Sequence, residues 1–84
     1  MSTTDWKYDR VLDASGLKCP LPVLKARKVL VTMKPGERLM VTATDPLSAI
    51  DMPHFAAESD NRILASATDG QRLFFLIERG PARV

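Results

Sequence analysis

The chain of 84 residues holds a single cysteine, and the residues around it are of the kinds that make a thiol reactive. Cys19 stands in the run Gly16, Leu17, Lys18, Cys19, Pro20, Leu21, Pro22, between a glycine turn and the start of a helical pattern. Proline is tolerated in a helix's first turn, where its missing N–H would have had no partner, so Pro20 and Pro22 mark a beginning and not a break. Pro20 also restricts Cys19 to extended backbone angles, which fixes the direction in which the sulfur projects. Free N–H groups and the macrodipole at a helix N-terminus favour an anion, and Lys18 adds positive charge. Together these features predict a depressed thiol pKa, with the thiolate or a terminal persulfide anion stabilised.

Other chemistries find less material. The one histidine, His54, follows Pro53 and reads as an exposed or capping residue more readily than as the base of a Cys/His pair. One Cys, one His and scattered acids make no recognisable zinc spacing, and the four glycines are too dispersed for a phosphate loop. Asp13 and Asp45 are explained more simply as a strand end and a cap than as paired carboxylates with Asp51. No metal or cofactor is implied. A single thiol cannot form an internal disulfide, which favours a reducing, cytoplasmic setting. The longest apolar run, Leu73 to Ile77, is far too short to span a bilayer, so no membrane association is expected.

Charge is distributed unevenly around a net +2. Leu17 to Arg38 carries Lys18, Lys25, Arg27, Lys28, Lys34 and Arg38 against Glu37 alone, whereas Leu39 to Asn61 has Asp45, Asp51, Glu58 and Asp60 and no base. Lys25, Arg27 and Lys28 are therefore candidates for docking onto an acidic protein surface. Aromatic residues are 6% of the chain and absent from the basic segment, so the stacking platforms of single-strand binders are missing and direct nucleic-acid binding is not expected.

The elements that must position Cys19 follow from periodicity. Hydrophobic residues at 45% and charged residues at 26% describe one small globular core. Residues 1–8 read as a flexible tail, 9–80 as the domain and 81–84 as a C-terminal tail. Tyr8 to Leu12 alternates as a strand ended by Ala14, Ser15 and Gly16. Val23, Ala26, Leu30 and Met33 recur at helical spacing until Pro35 and Gly36. Arg38 to Thr44 alternates again, and Pro46 opens a second helix that Pro53 should kink or divide near Asp51 and Met52. Arg62 to Thr68 and Arg72 to Glu78 form a hairpin through Asp69 and Gly70. The order βαβαββ predicts a two-layer α/β sandwich, a mixed four-stranded sheet with both helices on one face. Leu73, Phe75, Ile77, Ile63 and Ala65 are the expected core set, leaving Phe74, Leu76 and Leu64 for the other face.

The segment Asp13, Ala14, Ser15, Gly16, Leu17, Lys18, Cys19, Pro20, Leu21, Pro22 resembles the signature of the TusA family of sulfur carriers (SirA-like, YedF-like), whose hallmark is Cys-Pro-x-Pro. The likeness continues through Lys34-Pro35-Gly36-Glu37, Asp45-Pro46, Asp51-Met52-Pro53 and Asp69-Gly70, covering roughly Asp9 to Arg79. It implies the same βαβαββ sandwich. It also implies that Cys19 accepts sulfane sulfur as a persulfide, commonly from a cysteine desulfurase, and passes it to an acceptor protein. Recipients in the family serve tRNA 2-thiolation, molybdenum-cofactor maturation or sulfur oxidation. Ala56, after Phe55, stands where some relatives have a second cysteine, and Leu21 stands where acidic residues also occur. The residues alone fit two other uses: an RNA- or protein-binding regulatory module with a structural Cys19, and a redox sensor oxidised at that thiol.

Overall fold

A computed structural model describes residues 6–81. The elements follow the expected order: β1 (Arg10–Ala14), α1 (Leu21–Val31), β2 (Arg38–Ala43), α2 (Ser48–Glu58), β3 (Arg62–Asp69) and β4 (Arg72–Glu78). The four strands make one sheet in the order β1-β2-β4-β3, with β1 and β2 parallel and the other pairs antiparallel. α1 buries Pro22, Ala26 and Leu30, and α2 buries Ser48, Met52, Phe55 and Ala56, each set recurring on one helical stripe. Both stripes close on Leu39, Val41, Phe75 and Ile77, so the helices share one face of the sheet.

Several boundaries differ from the sequence expectation for identifiable reasons. β1 lies two residues further along than Tyr8 to Leu12, because Asp9 clasps the start of β2: its amide donates to the Arg38 carbonyl (2.8 Å) and its carboxylate accepts from the Arg38 amide (2.8 Å). α2 is not divided at Pro53. The proline ring sits on the exposed side, while Met52 before it and Phe55 and Ala56 after it are buried and anchor both halves. Pro46 precedes the helix by one turn, in which the amides of Ser48 and Ala49 donate to the carbonyls of Asp45 and Pro46. Of the tails expected at 1–8 and 81–84, residues 1–5 and 82–84 lie outside the described residues, and 6–8 have no regular structure.

The hairpin closes through Gly70 and Gln71, with Asp69 opposite Arg72. Within it, Ile63 pairs with Ile77 but Ala65 pairs with Leu76, a β-bulge that makes Leu64 the extra residue. Because side chains alternate along a strand, the bulge carries Ala65 away from the helices and removes it from the expected core set. Phe74 and Leu76, expected on the other face, do lie there, yet only 8% and 5% of their surfaces are exposed. Central strand β4 has neighbours on both sides, and the Arg72 guanidinium lies 5.6 Å from the centre of the Phe74 ring.

At the end of the sheet where β2 begins, the chain is tied down by Arg79, whose Nε donates to the Leu30 carbonyl of α1 (2.9 Å), a cation at a helix C-terminus. Next to it the Gly80 amide donates to Asn61 Oδ1 (3.0 Å), and a Cβ built on Gly80 would stand 1.6 Å from the Asp60 carbonyl oxygen. Two stability outcomes follow. Leu30→Ala, at a fully buried position, lowers unfolding free energy by about 2–5 kcal/mol. Gly80→Ala lowers it by about 1–3 kcal/mol, because backbone has to move aside. Chemical denaturation of each variant measures both.

Candidate functional site

Ala14 lies opposite Ala43 in the parallel β1/β2 pair, so the loops that follow these strands leave the same end of the sheet side by side. Carboxyl ends of adjacent parallel strands are where α/β folds assemble sites from loops. In the first loop Gly16 turns the chain at φ +81°, a left-handed conformation that a Cβ would disfavour. Its amide donates to Thr44 Oγ1 in the second loop (2.8 Å), and the Leu17 amide donates to the Ala14 carbonyl (3.2 Å). Asp45 then joins the loops: Oδ2 accepts from the Cys19 amide (2.7 Å) and Oδ1 from the Leu47 amide at the head of α2 (3.0 Å). Gly16, Leu17, Lys18, Thr44, Asp45 and Pro46 line an open depression of about 340 Å³.

Cys19 is exposed at this junction and precedes the helix by two residues, with Pro20 in the N-cap position and its peptide to Cys19 cis. Its thiol is turned toward α2, where Sγ donates to Asp51 Oδ2 at 2.6 Å. This contact overturns the expectation of a depressed thiol pKa. The hydrogen bond to Asp51 pushes the thiol above its ordinary value, and partial desolvation and the negative charges of Asp51 and Asp45 push the same way. The helix N-terminus offers little in compensation. Pro20 and Pro22 have no N–H, and the Leu21 amide donates to the Lys18 carbonyl (2.8 Å). The positive charge of Lys18 helps to lower Asp45, after the larger effects of the Cys19 and Leu47 amides.

The other residues singled out from sequence divide into groups. Gly16, Leu17, Lys18 and Pro20 surround the thiol, whereas Pro22 is fully buried and fixes the first turn of α1 from inside the core. Lys25 and Lys28 are exposed on α1. Arg27 is exposed too, but its guanidinium lies 5.7 Å from the Phe55 ring centre, against α2. His54 belongs to no dyad, for its Nε2 faces Glu58 Oε1 at 3.3 Å on the exposed side of α2. Among the described residues no group of three or more His, Cys, Asp and Glu is placed to hold a metal ion. The sequence reading missed Asp45 as a site residue because capping explained it locally, and missed Asp51 because nothing local in the sequence links it to Cys19. It also missed the apolar rim: Leu21 and Leu24 from α1, and Leu47 and Ile50 from the start of α2, are 44%, 51%, 53% and 69% exposed.

The bridging role of Asp45 gives a pH signature. Its amide partners hold its pKa below the ordinary 3.8, so its contribution to the fold is present above that value and disappears as pH falls through the lowered one. In an NMR titration the Cys19 and Leu47 amide resonances should shift together, with one shared midpoint below that of a free aspartate.

Comparison with known proteins places this geometry in a family. Residues 10–79 match the sequence profile described as "Sulfurtransferase TusA". The chain is 46% identical over 72 residues to the sulfur carrier protein TusA of Allochromatium vinosum, covering 86% of this chain and 95% of that one. Its fold is similar to the crystal structure of a SirA-like protein from Desulfitobacterium hafniense, with a TM-score of 0.76 at 23% identity over 86% of this chain and 99% of the other. With a family profile across most of its length, and a relative that close over nearly the whole of both chains, this chain belongs to the TusA family.

Proposed function

We infer that the domain, residues 9–80, is the carrier in a sulfur relay. Cys19 accepts sulfane sulfur as a persulfide from a cysteine desulfurase or another persulfide donor and hands it to a downstream acceptor protein. The observation that carries this reading is the exposed position of the sole thiol on a surface built from two loops. A persulfide on Cys19 has no neighbouring thiol of the same chain to discharge it as a disulfide, so its sulfur leaves only to a second molecule. The name of the Allochromatium relative supports the same role here. A redox sensor draws on a thiol of low pKa, the opposite of what Asp51 imposes on Cys19.

Transfer between proteins requires two surfaces to meet around the sulfur with water excluded. Leu21, Leu24, Leu47 and Ile50 supply apolar area beside Cys19, and Lys18, Lys25, Arg27 and Lys28 supply positive charge suited to an acidic donor or acceptor. Among the described residues no helix is long and apolar enough to cross a membrane, and the single reduced thiol suits work in the cytoplasm.

Intact-protein mass spectrometry after incubation with cysteine and a desulfurase, or with polysulfide, tests the central claim. Wild type gains sulfur that a reductant removes, while Cys19→Ser gains none and unfolds at an unchanged denaturant midpoint, because the side chain is exposed. Loading of the serine variant would sink the assignment to Cys19. The double variant Lys25→Glu, Lys28→Glu associates with the donor about tenfold more slowly at low ionic strength, a difference that shrinks as salt is added and that stopped-flow mixing would measure.

A further inference from the structure

We propose that Asp51 is a catalytic residue of the carrier, whose carboxylate takes the Cys19 proton as the sulfur attacks a donor persulfide. The proposal rests on the reading of Cys19 as the persulfide site, and deepens it. Three placements carry it. Asp51 Oδ2 accepts the thiol hydrogen with 2.6 Å between Sγ and Oδ2, within the heavy-atom reach a general base needs. Asp51 is fixed in the first turn of α2, where its amide donates to the Leu47 carbonyl (2.9 Å), and Leu47 is in turn held by the same Asp45 that fixes the Cys19 amide. Thiol and carboxylate are thus positioned by one anchor. Finally, the two other candidates are engaged elsewhere: His54 faces Glu58, and Asp45 has both oxygens engaged by backbone amides.

The step balances without an outside oxidant. Cys19 Sγ attacks the terminal sulfur of the donor, R–S–SH, and its proton passes to Asp51 Oδ2. The Sγ–S bond forms as the donor S–S bond breaks, and R–S⁻ leaves with the electron pair. Cys19 sulfur is oxidised to the persulfide level while the donor's cysteine sulfur is reduced to a thiolate. Discharge to an acceptor thiolate is the same step in reverse, with the Asp51 carboxyl returning a proton to Sγ as it leaves. A docked partner that covers the apolar rim excludes water from the reacting sulfur at the moment of transfer.

The charged groups facing the thiol are Asp51 from α2 and Asp45 from the loop before it; Lys18 from the first loop acts on Asp45, and α2's own His54 is directed to Glu58. A carboxylate already in contact with the thiol takes its proton during the attack, without prior ionisation to solvent. Single-turnover sulfur acceptance by wild type is therefore nearly flat between about pH 6 and pH 8. In Asp51→Asn acceptance follows the free thiolate, falling about tenfold for each pH unit below the thiol pKa. The thiol of this variant, followed by its ultraviolet absorbance, titrates lower than in wild type. Asp51→Glu restores a flat profile at a reduced rate. The same steep slope in wild type and Asp51→Asn overturns the role of Asp51 while leaving the carrier intact. No gain of sulfur by wild type at any pH overturns the carrier reading, and this proposal with it.

Discussion

Two helices and a four-stranded sheet have one apolar layer between them, and the parallel pairing of β1 with β2 decides what that layer exposes. Parallel neighbours require a crossover, so α1 must run back over the sheet to bring the chain to the start of β2. With Leu30, Met52, Phe55, Val41 and Ile77 sealing the helices against the sheet, the connections β1–α1 and β2–α2 are forced out at the same end. Among the described residues, the exposed thiol and its polar partners lie on those two connections and on the first turn of α2. The Cys19 amide, the Thr44 hydroxyl, the Asp45 carboxylate and the first turn of α2 meet because strand register puts Ala14 beside Ala43.

That geometry gives the thiol an electrostatic setting different from the one its immediate neighbours suggest. A cysteine just before a helix with a lysine beside it reads as an activated nucleophile. In the folded chain the prolines that define the helix start have removed two amide donors, and the charge of Lys18 acts on Asp45. The sulfur faces carboxylates. A thiol kept protonated is a poor target for stray oxidants and alkylating agents, and a carrier that meets its proper partners only intermittently gains from being unreactive between encounters.

Much of the fold was legible from residue patterns. Element order, the mixed sheet, the helix-start prolines and the single exposed thiol all follow from periodicity and backbone chemistry. Departures arose where a tertiary contact outweighed a local rule. Asp9 clasping Arg38 moved β1, burial of Met52 and Phe55 carried α2 through Pro53, and the bulge at Leu64 turned Ala65 outward. Of the candidate site, the placement of an exposed thiol before a helix was legible around Cys19, but its contacts with Asp45 and Asp51, 26 and 32 residues away, were not. A signal for them was present. Acids in the second βα connection and in the first turn of its helix are placed beside the first connection when the strands are parallel and adjacent.

The clasp at Asp9 and the Gly80 anchor both lie at the edge of the sheet where β2 begins, whereas the sulfur emerges where β2 ends. The described chain therefore enters and departs on the side away from Cys19. A domain of this shape can be tethered at either terminus to a donor or an acceptor without blocking the approach to its thiol. Such a fusion would replace diffusional encounter by a fixed effective concentration, turning a free shuttle into a swinging arm.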